Sequence, residues 1–118
     1  MKWYFALSGT SLSPDDIYAN CIRAAVRSAV RNTTLIPNLI FDGPKNDFIR
    51  ELEDCGVTII YHRSRLYDTF CSAYQENLPL QRIAAGAYLR VDIPLIETEE
   101  DYVLYTDCDV LFFEKSSP

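Results

Sequence analysis

The sequence predicts an α/β domain, a mainly parallel sheet with helices packed on it. Three observations carry this expectation. Short apolar runs alternate with stretches of helical periodicity, the order that builds strand–helix–strand units with right-handed crossovers. The 118 residues are 48% hydrophobic, which suits one domain with a modest core and is too apolar for a disordered tail. Polar or acidic turns follow the apolar runs at Ser8-Gly9, Asp42 and Asp107-Cys108-Asp109. In a parallel sheet these turns share the carboxyl edge, where such sheets bind ligands.

The first strand is expected over Lys2 to Leu7, an apolar run ending in Ser8-Gly9-Thr10. Ser13-Pro14-Asp15-Asp16 then starts a helix, with Ser13 as cap, Pro14 in the first turn and Asp16 three residues after the cap. Tyr18, Ile22, Val26 and Ala29 form its apolar face, while Arg23, Arg27 and Arg31 fall four apart on another. Asn38 to Phe41 is a second strand that starts late, or lies at an edge, because Pro37 cannot donate to a ladder. Phe48, Leu52 and Cys55 mark a short helix ended by Gly56. Val57 to Tyr61 is a β-branched strand of buried character. Residues 62–82 mix charged with scattered apolar residues and place no element firmly. Ile83, Ala87 and Val91 restore a helical face that Pro94 is expected to end. Tyr102 to Thr106 is a last strand running into Asp107-Cys108-Asp109.

Seventeen acidic against eleven basic residues give a net charge of -6. So acidic a chain is a poor partner for nucleic acid or an anionic membrane. No apolar run approaches the roughly 20 residues of a membrane span, and the apolar stretch after Lys2 is too short for a signal-peptide core. A cytoplasmic domain is expected. Cys21, Cys55, Cys71 and Cys108 form no Cys-x-x-Cys pair, and reduced thiols are expected, with Cys21 and Cys55 packing as small hydrophobes.

Asp107 and Asp109 carry the most chemical information. Apolar sequence continues on both sides of them, so the segment is expected to be buried. Unpaired carboxylates are too costly to bury without a cation or several donors. Residues i and i+2 on an extended segment share a face, which lets both converge on one ion. Oxygen ligation suits Mn²⁺ or Mg²⁺, with a phosphate and waters completing the shell. Solvated turn acids are the bland alternative.

Gly86-Ala87-Tyr88-Leu89-Arg90-Val91-Asp92-Ile93-Pro94, an acidic spacer and Tyr102-Val103-Leu104-Tyr105-Thr106-Asp107-Cys108-Asp109-Val110-Leu111 together resemble the core of the family 8 glycosyltransferases. There a Tyr-x-Arg helix near a proline precedes a strand carrying Asp-x-Asp. The resemblance implies a GT-A, Rossmann-like nucleotide-diphospho-sugar transferase fold and a metal-dependent, retaining hexosyl transfer. The donor is expected to be a nucleotide sugar, usually a UDP-sugar, and the acceptor a carbohydrate, lipid or protein. It implies Mn²⁺ or Mg²⁺ on Asp107 and Asp109, with Asp107 and Cys108 near the donor. Arg90 matches an arginine near the sugar nucleotide, or else is a helix-surface arginine or a structural one pairing with Asp92 or Glu97. Ala6, Leu7 and Ser8 match the first-strand end that holds the base.

Two departures accompany the resemblance. The family's Asp-Asp-x-Tyr segment occurs here as Asp15-Asp16-Ile17-Tyr18 only after the insertion Gly9 to Pro14, and helix capping accounts for both acids. The family's third metal ligand lies well downstream of Asp-x-Asp, whereas this sequence stops at Pro118. Residues 1–118 are therefore expected to be a single nucleotide-sugar-binding domain, the N-terminal part of a GT-A fold. Its last strand could expose an edge for homo-oligomer formation. His62, the only histidine, is expected at a loop or strand end.

Two rivals use the same residues. In a haloacid-dehalogenase-type phosphatase Asp107 would be the nucleophile and Asp109 the general acid, but that motif normally opens its domain. A non-catalytic sugar-nucleotide-binding module would keep the donor site without turnover. A phospho-receiver domain fails on residues, since Ser8-Gly9 and His62 stand where its acids belong.

Overall fold

The computed structural model of the chain describes residues 1–8 and 17–113. Strands β1 (Lys2–Ser8), β2 (Ile36–Asp42), β3 (Thr58–Tyr61) and β4 (Leu104–Tyr105) form one sheet in the order β3-β2-β1-β4, with every pair parallel. The expected α/β class with a parallel sheet is therefore what the chain adopts. The helix-start residues Ser13, Pro14, Asp15 and Asp16 lie outside the described residues.

Alternation along β1 builds two cores. Trp3, Phe5 and Leu7 point to one face, where helices α1 (Ile17–Asn32) and α2 (Asp47–Asp54) bury Ala19, Ile22, Val26, Phe48, Ile49 and Leu52 with them. Tyr4 and Ala6 point to the other, against Leu89 and Ile93. That side carries α3 (Tyr67–Ala73), α4 (Leu78–Ala87), a 3₁₀ turn (Tyr88–Asp92) and α5 (Ile93–Ile96). Each fully buried aliphatic or aromatic side chain contributes about 1.5–3 kcal/mol relative to exposure. Trp3 and Phe5, stacked with centroids 4.6 Å apart, put much of that contribution at the centre of the sheet.

Local chemistry explains the boundaries. Asn46 caps α2 by accepting from Ile49 N at 2.9 Å. Gly56 N donates to Glu53 O and Val57 N to Leu52 O, a Schellman ending made possible by φ +98° at Gly56.

Several expectations are corrected. Pro37 lies inside the seven-residue β2 rather than before it, so the strand does not start late but lies at an edge there, the other alternative. Ile36 N donates toward β1, to Met1 O, so the Pro37 nitrogen faces the β3 side, where pairing begins only at Asn38–Thr58. Proline is tolerated there because no donor is missing from a ladder. β3 is an edge strand with exposed ends and a half-buried middle, not a buried one. Its β-branched run reflects a pleated surface, which an edge satisfies too. Pro94 sits in the first turn of α5, where a missing N–H costs nothing, instead of stopping a helix. Ala87 and Val91 are exposed, and the inward positions are Ala84, Leu89 and Ile93. The tightening from α4 into the 3₁₀ turn rotates the apolar face. The last strand keeps only Leu104 and Tyr105 of the expected five residues. Cys55 is exposed rather than packed, because it follows the last turn of α2. Among the described residues no disulfide joins the four cysteines, and no helix is long and apolar enough to cross a membrane.

Candidate functional site

Strands β1, β2 and β3 step outward in one direction, and β4 then joins β1 on its other side. The order reverses between β1 and β4, the kind of switch point at whose carboxyl ends parallel sheets bind ligands. The chain leaving β4 continues along β1: Thr106 N donates to Tyr4 O at 3.2 Å, and Cys108 Sγ lies 3.4 Å from Ala6 O. Trp3 Nε1 donates to Thr106 Oγ1, which donates to its neighbour's carbonyl at Asp107, each at 2.8 Å. Ser8 and Asp42 are in register at the ends of β1 and β2. The sequence-predicted carboxyl edge is thus assembled, apart from Gly9, which lies outside the described residues.

Exposure alternates beyond β4. Cys108 is buried and Val110 and Phe112 are partly buried, whereas Asp107, Asp109, Leu111 and Phe113 are exposed. This overturns the expectation that burial forces a counter-ion on the two acids. The apolar flanks cover one face of an extended segment and leave the other to water. Both carboxylates therefore share the solvent side with their oxygens uncommitted: among the described residues neither enters an ion pair.

Of the other expected site residues, Ala6 and Ser8 are half-buried at the end of β1, and Leu7 is buried in the α1 side of the core. Leu7 can offer only backbone to a ligand. Arg90 is exposed on the 3₁₀ turn, in keeping with the helix-surface alternative, and pairs with neither Asp92 nor Glu97, which corrects the structural pairing. Asp92 is taken by His62 and Arg65, and Glu97 by Lys2. Arg90 instead acts on Tyr105, whose phenol is pushed up by burial and by Cys108 and Asp107, with Arg90 opposing them. The side chain of Tyr18 is not among those described.

A second cluster closes the β2–β3 end of the same edge. His62, at the end of β3 as expected, donates from Nε2 to Asp92 Oδ2 at 2.7 Å, and Arg65 N donates to the same oxygen at 2.8 Å. Asp92 is 0% exposed. Burial raises its carboxyl, but the His62 and Arg65 hydrogen bonds and charges outweigh burial and hold it below the ordinary value. Arg65 Nε is 3.2 Å from Oδ1, yet off the hydrogen-bonding direction, so among the described residues Oδ1 has no donor. Arg63 Nε donates to both Asp42 oxygens at 3.3 Å, and its guanidinium carbon Cζ lies 4.0 Å from the Tyr67 ring centroid. Sequence reasoning missed the role of Asp92. Its signal was an acid set between Leu89 and Ile93 in an apolar stretch.

At the opposite edge, Glu97 accepts from Lys2 Nζ at 2.8 Å, Tyr4 Oη at 2.8 Å, and the backbone N–H of Glu99 and Glu100 at 3.1 Å each. These contacts, Lys2 foremost, lower its carboxyl to about 2.

Two uncommitted carboxylates at a sheet's carboxyl edge match the donor chemistry of a hard divalent cation, with most of the shell left to a phosphate and water. Among the described residues no group of three or more His, Cys, Asp or Glu side chains gathers as a metal centre. Comparisons with protein-family models, curated proteins and solved structures find no match to this chain.

Proposed function

We propose that this chain is the nucleotide-sugar-binding part of a metal-dependent glycosyltransferase with a GT-A fold, resembling family 8. The observation that carries the reading is the path of residues 106–109 beside β1. It sets two uncommitted carboxylates at the point where strand order reverses.

In this reading Asp107 and Asp109 hold Mn²⁺ or Mg²⁺. When bound, the ion supplies Lewis acidity that stabilises negative charge developing on the departing nucleoside diphosphate. Cys108 fixes both acids by seating its side chain against β1. The ends of Ala6, Leu7 and Ser8 present backbone groups and one hydroxyl to the base, as the strand-end position favours. Arg90 adds positive charge beside Tyr105, facing the donor's phosphates or sugar. The acceptor, a carbohydrate, lipid or protein, is met by residues not identified in this chain, and the resemblance makes the transfer a retaining one.

Thermal melting with UDP, GDP and ADP, each with and without Mn²⁺, tests the proposal without an acceptor, because a ligand bound only to the native state raises Tm. Stabilisation by UDP that requires Mn²⁺ is the expected result. Stabilisation by Mg²⁺ with beryllium fluoride and by no nucleotide would replace it with the aspartyl-phosphatase reading, with Asp107 as phosphoryl acceptor.

A further inference from the structure

A cavity of about 260 Å³ opens between α1 and α2, far in sequence from the acids beyond β4. Its floor is Val26 and Leu52, both buried, and its rim carries Val30, 52% exposed, and the exposed Cys55. Arg23 walls one end, held by Glu51 at 2.6 and 3.1 Å and lying 5.1 Å from the Phe48 ring centroid. Arg27 and Arg31 line the same groove, and among the described residues neither is in an ion pair. Three arginines against one glutamate make this a basic patch on a chain of net charge -6.

The complement is on the same molecule. A cleft of about 410 Å³ beside Pro94 is lined by Glu97, Glu100 and Asp101. Glu97 is spent on Lys2 and Tyr4, whereas Glu100 and Asp101 are exposed and, among the described residues, enter no ion pair. Beside them Tyr102 is 81% exposed, an amphipathic ring of the kind that anchors interfaces.

We propose that this basic groove docks the acidic cleft of a second copy of the chain. Arg27 and Arg31, with long stems and forked heads, enter the cleft beside Glu100 and Asp101. Tyr102 of that copy settles on the apolar rim at Val30 and Cys55. Groove and cleft are different patches, so each copy offers one of each. Two such contacts close a dimer if a two-fold relates the copies, and otherwise extend a chain. Charge pairs at a partly wet rim steer and select more than they bind, so the association is weak and salt-sensitive.

Sedimentation of the full chain over a range of concentration and salt tests this. Wild type is expected to associate at low salt and to dissociate as salt rises. Arg27→Glu with Arg31→Glu, and separately Glu100→Lys with Asp101→Lys, should each weaken association by about a hundredfold, since like charges then meet. Mixing the two variants should restore a one-to-one complex that neither forms alone. All four positions are exposed, and circular dichroism melts check that both variants stay folded. A wild type that remains monomeric overturns the proposal, even if Arg27 and Arg31 then prove to bind anionic lipid vesicles. Association that survives both reversals also overturns it and moves the contact to the exposed strand edges.

Discussion

Glu97 and Asp109 stand on either side of β4 and live in opposite environments. At the amino edge of the sheet, the Glu97 side chain is 4% exposed and accepts from a lysine, a tyrosine and two backbone amides. Beyond the carboxyl edge, Asp109 is exposed and in no ion pair among the described residues. Asp92, buried against His62 and Arg65 with one oxygen hydrogen-bonded, stands nearer Glu97 than Asp109. A carboxylate whose acceptor sites are filled by its own chain contributes to folding and has little left for a ligand. One with its lone pairs in water contributes little to folding and keeps its whole capacity for a cation.

The sharpest break of this contrast is Asp92→Ala. It removes the acceptor of two hydrogen bonds from a buried position and should cost about 2 kcal/mol, or several degrees in Tm for a domain of this size. Urea denaturation measures it, and a loss indistinguishable from zero would refute the structural role of Asp92.

Acid titration comes next in size. Glu97 is lowered from 4.5 to about 2 and Asp92 is lowered from 3.8. A depressed folded value means that the stability is present above the unfolded value and lost as pH falls through the folded one. Tm should hold down to about pH 4.5 and fall between there and about pH 2, and Glu97→Gln should flatten part of that limb.

The smallest effect on folding is expected at Asp109. Asp109→Asn should leave stability within about 0.5 kcal/mol of wild type, as surface substitutions usually do, while abolishing Mn²⁺-dependent nucleotide stabilisation. Unchanged nucleotide affinity in a folded variant would remove Asp109 from the proposed metal site.

What the sequence disclosed follows from how each signal arises. β1, α1 and α2 were readable because a short apolar run, helical periodicity and the Gly56 ending are local. α3 and the start of α4 were not, since Pro79 and the charges over 62–82 blur the period, and Phe70 meets Tyr88 only through tertiary packing. The β-branched run of β3 could not reveal its place at an edge, because strand order is a property of the whole sheet. The same limit applied to the acids: their position at the carboxyl edge was visible, but their exposure was not, because apolar neighbours on alternate residues look like burial on both faces. The pairing of Asp92 with His62 bridges 30 positions, beyond the reach of any local pattern.

β4 pairs with β1 at only Trp3–Leu104 and Tyr4–Tyr105, too little hydrogen bonding to define its own alignment. The residues that follow do so instead. Sliding the segment by one position would turn Asp107 and Asp109 into the core and push Cys108, Val110 and Phe112 into water. Burying each charge would cost several kcal/mol, and the apolar loss adds to it. The two acids therefore act as a proofreading device for strand alignment, one that operates during folding whether or not a ligand is ever present.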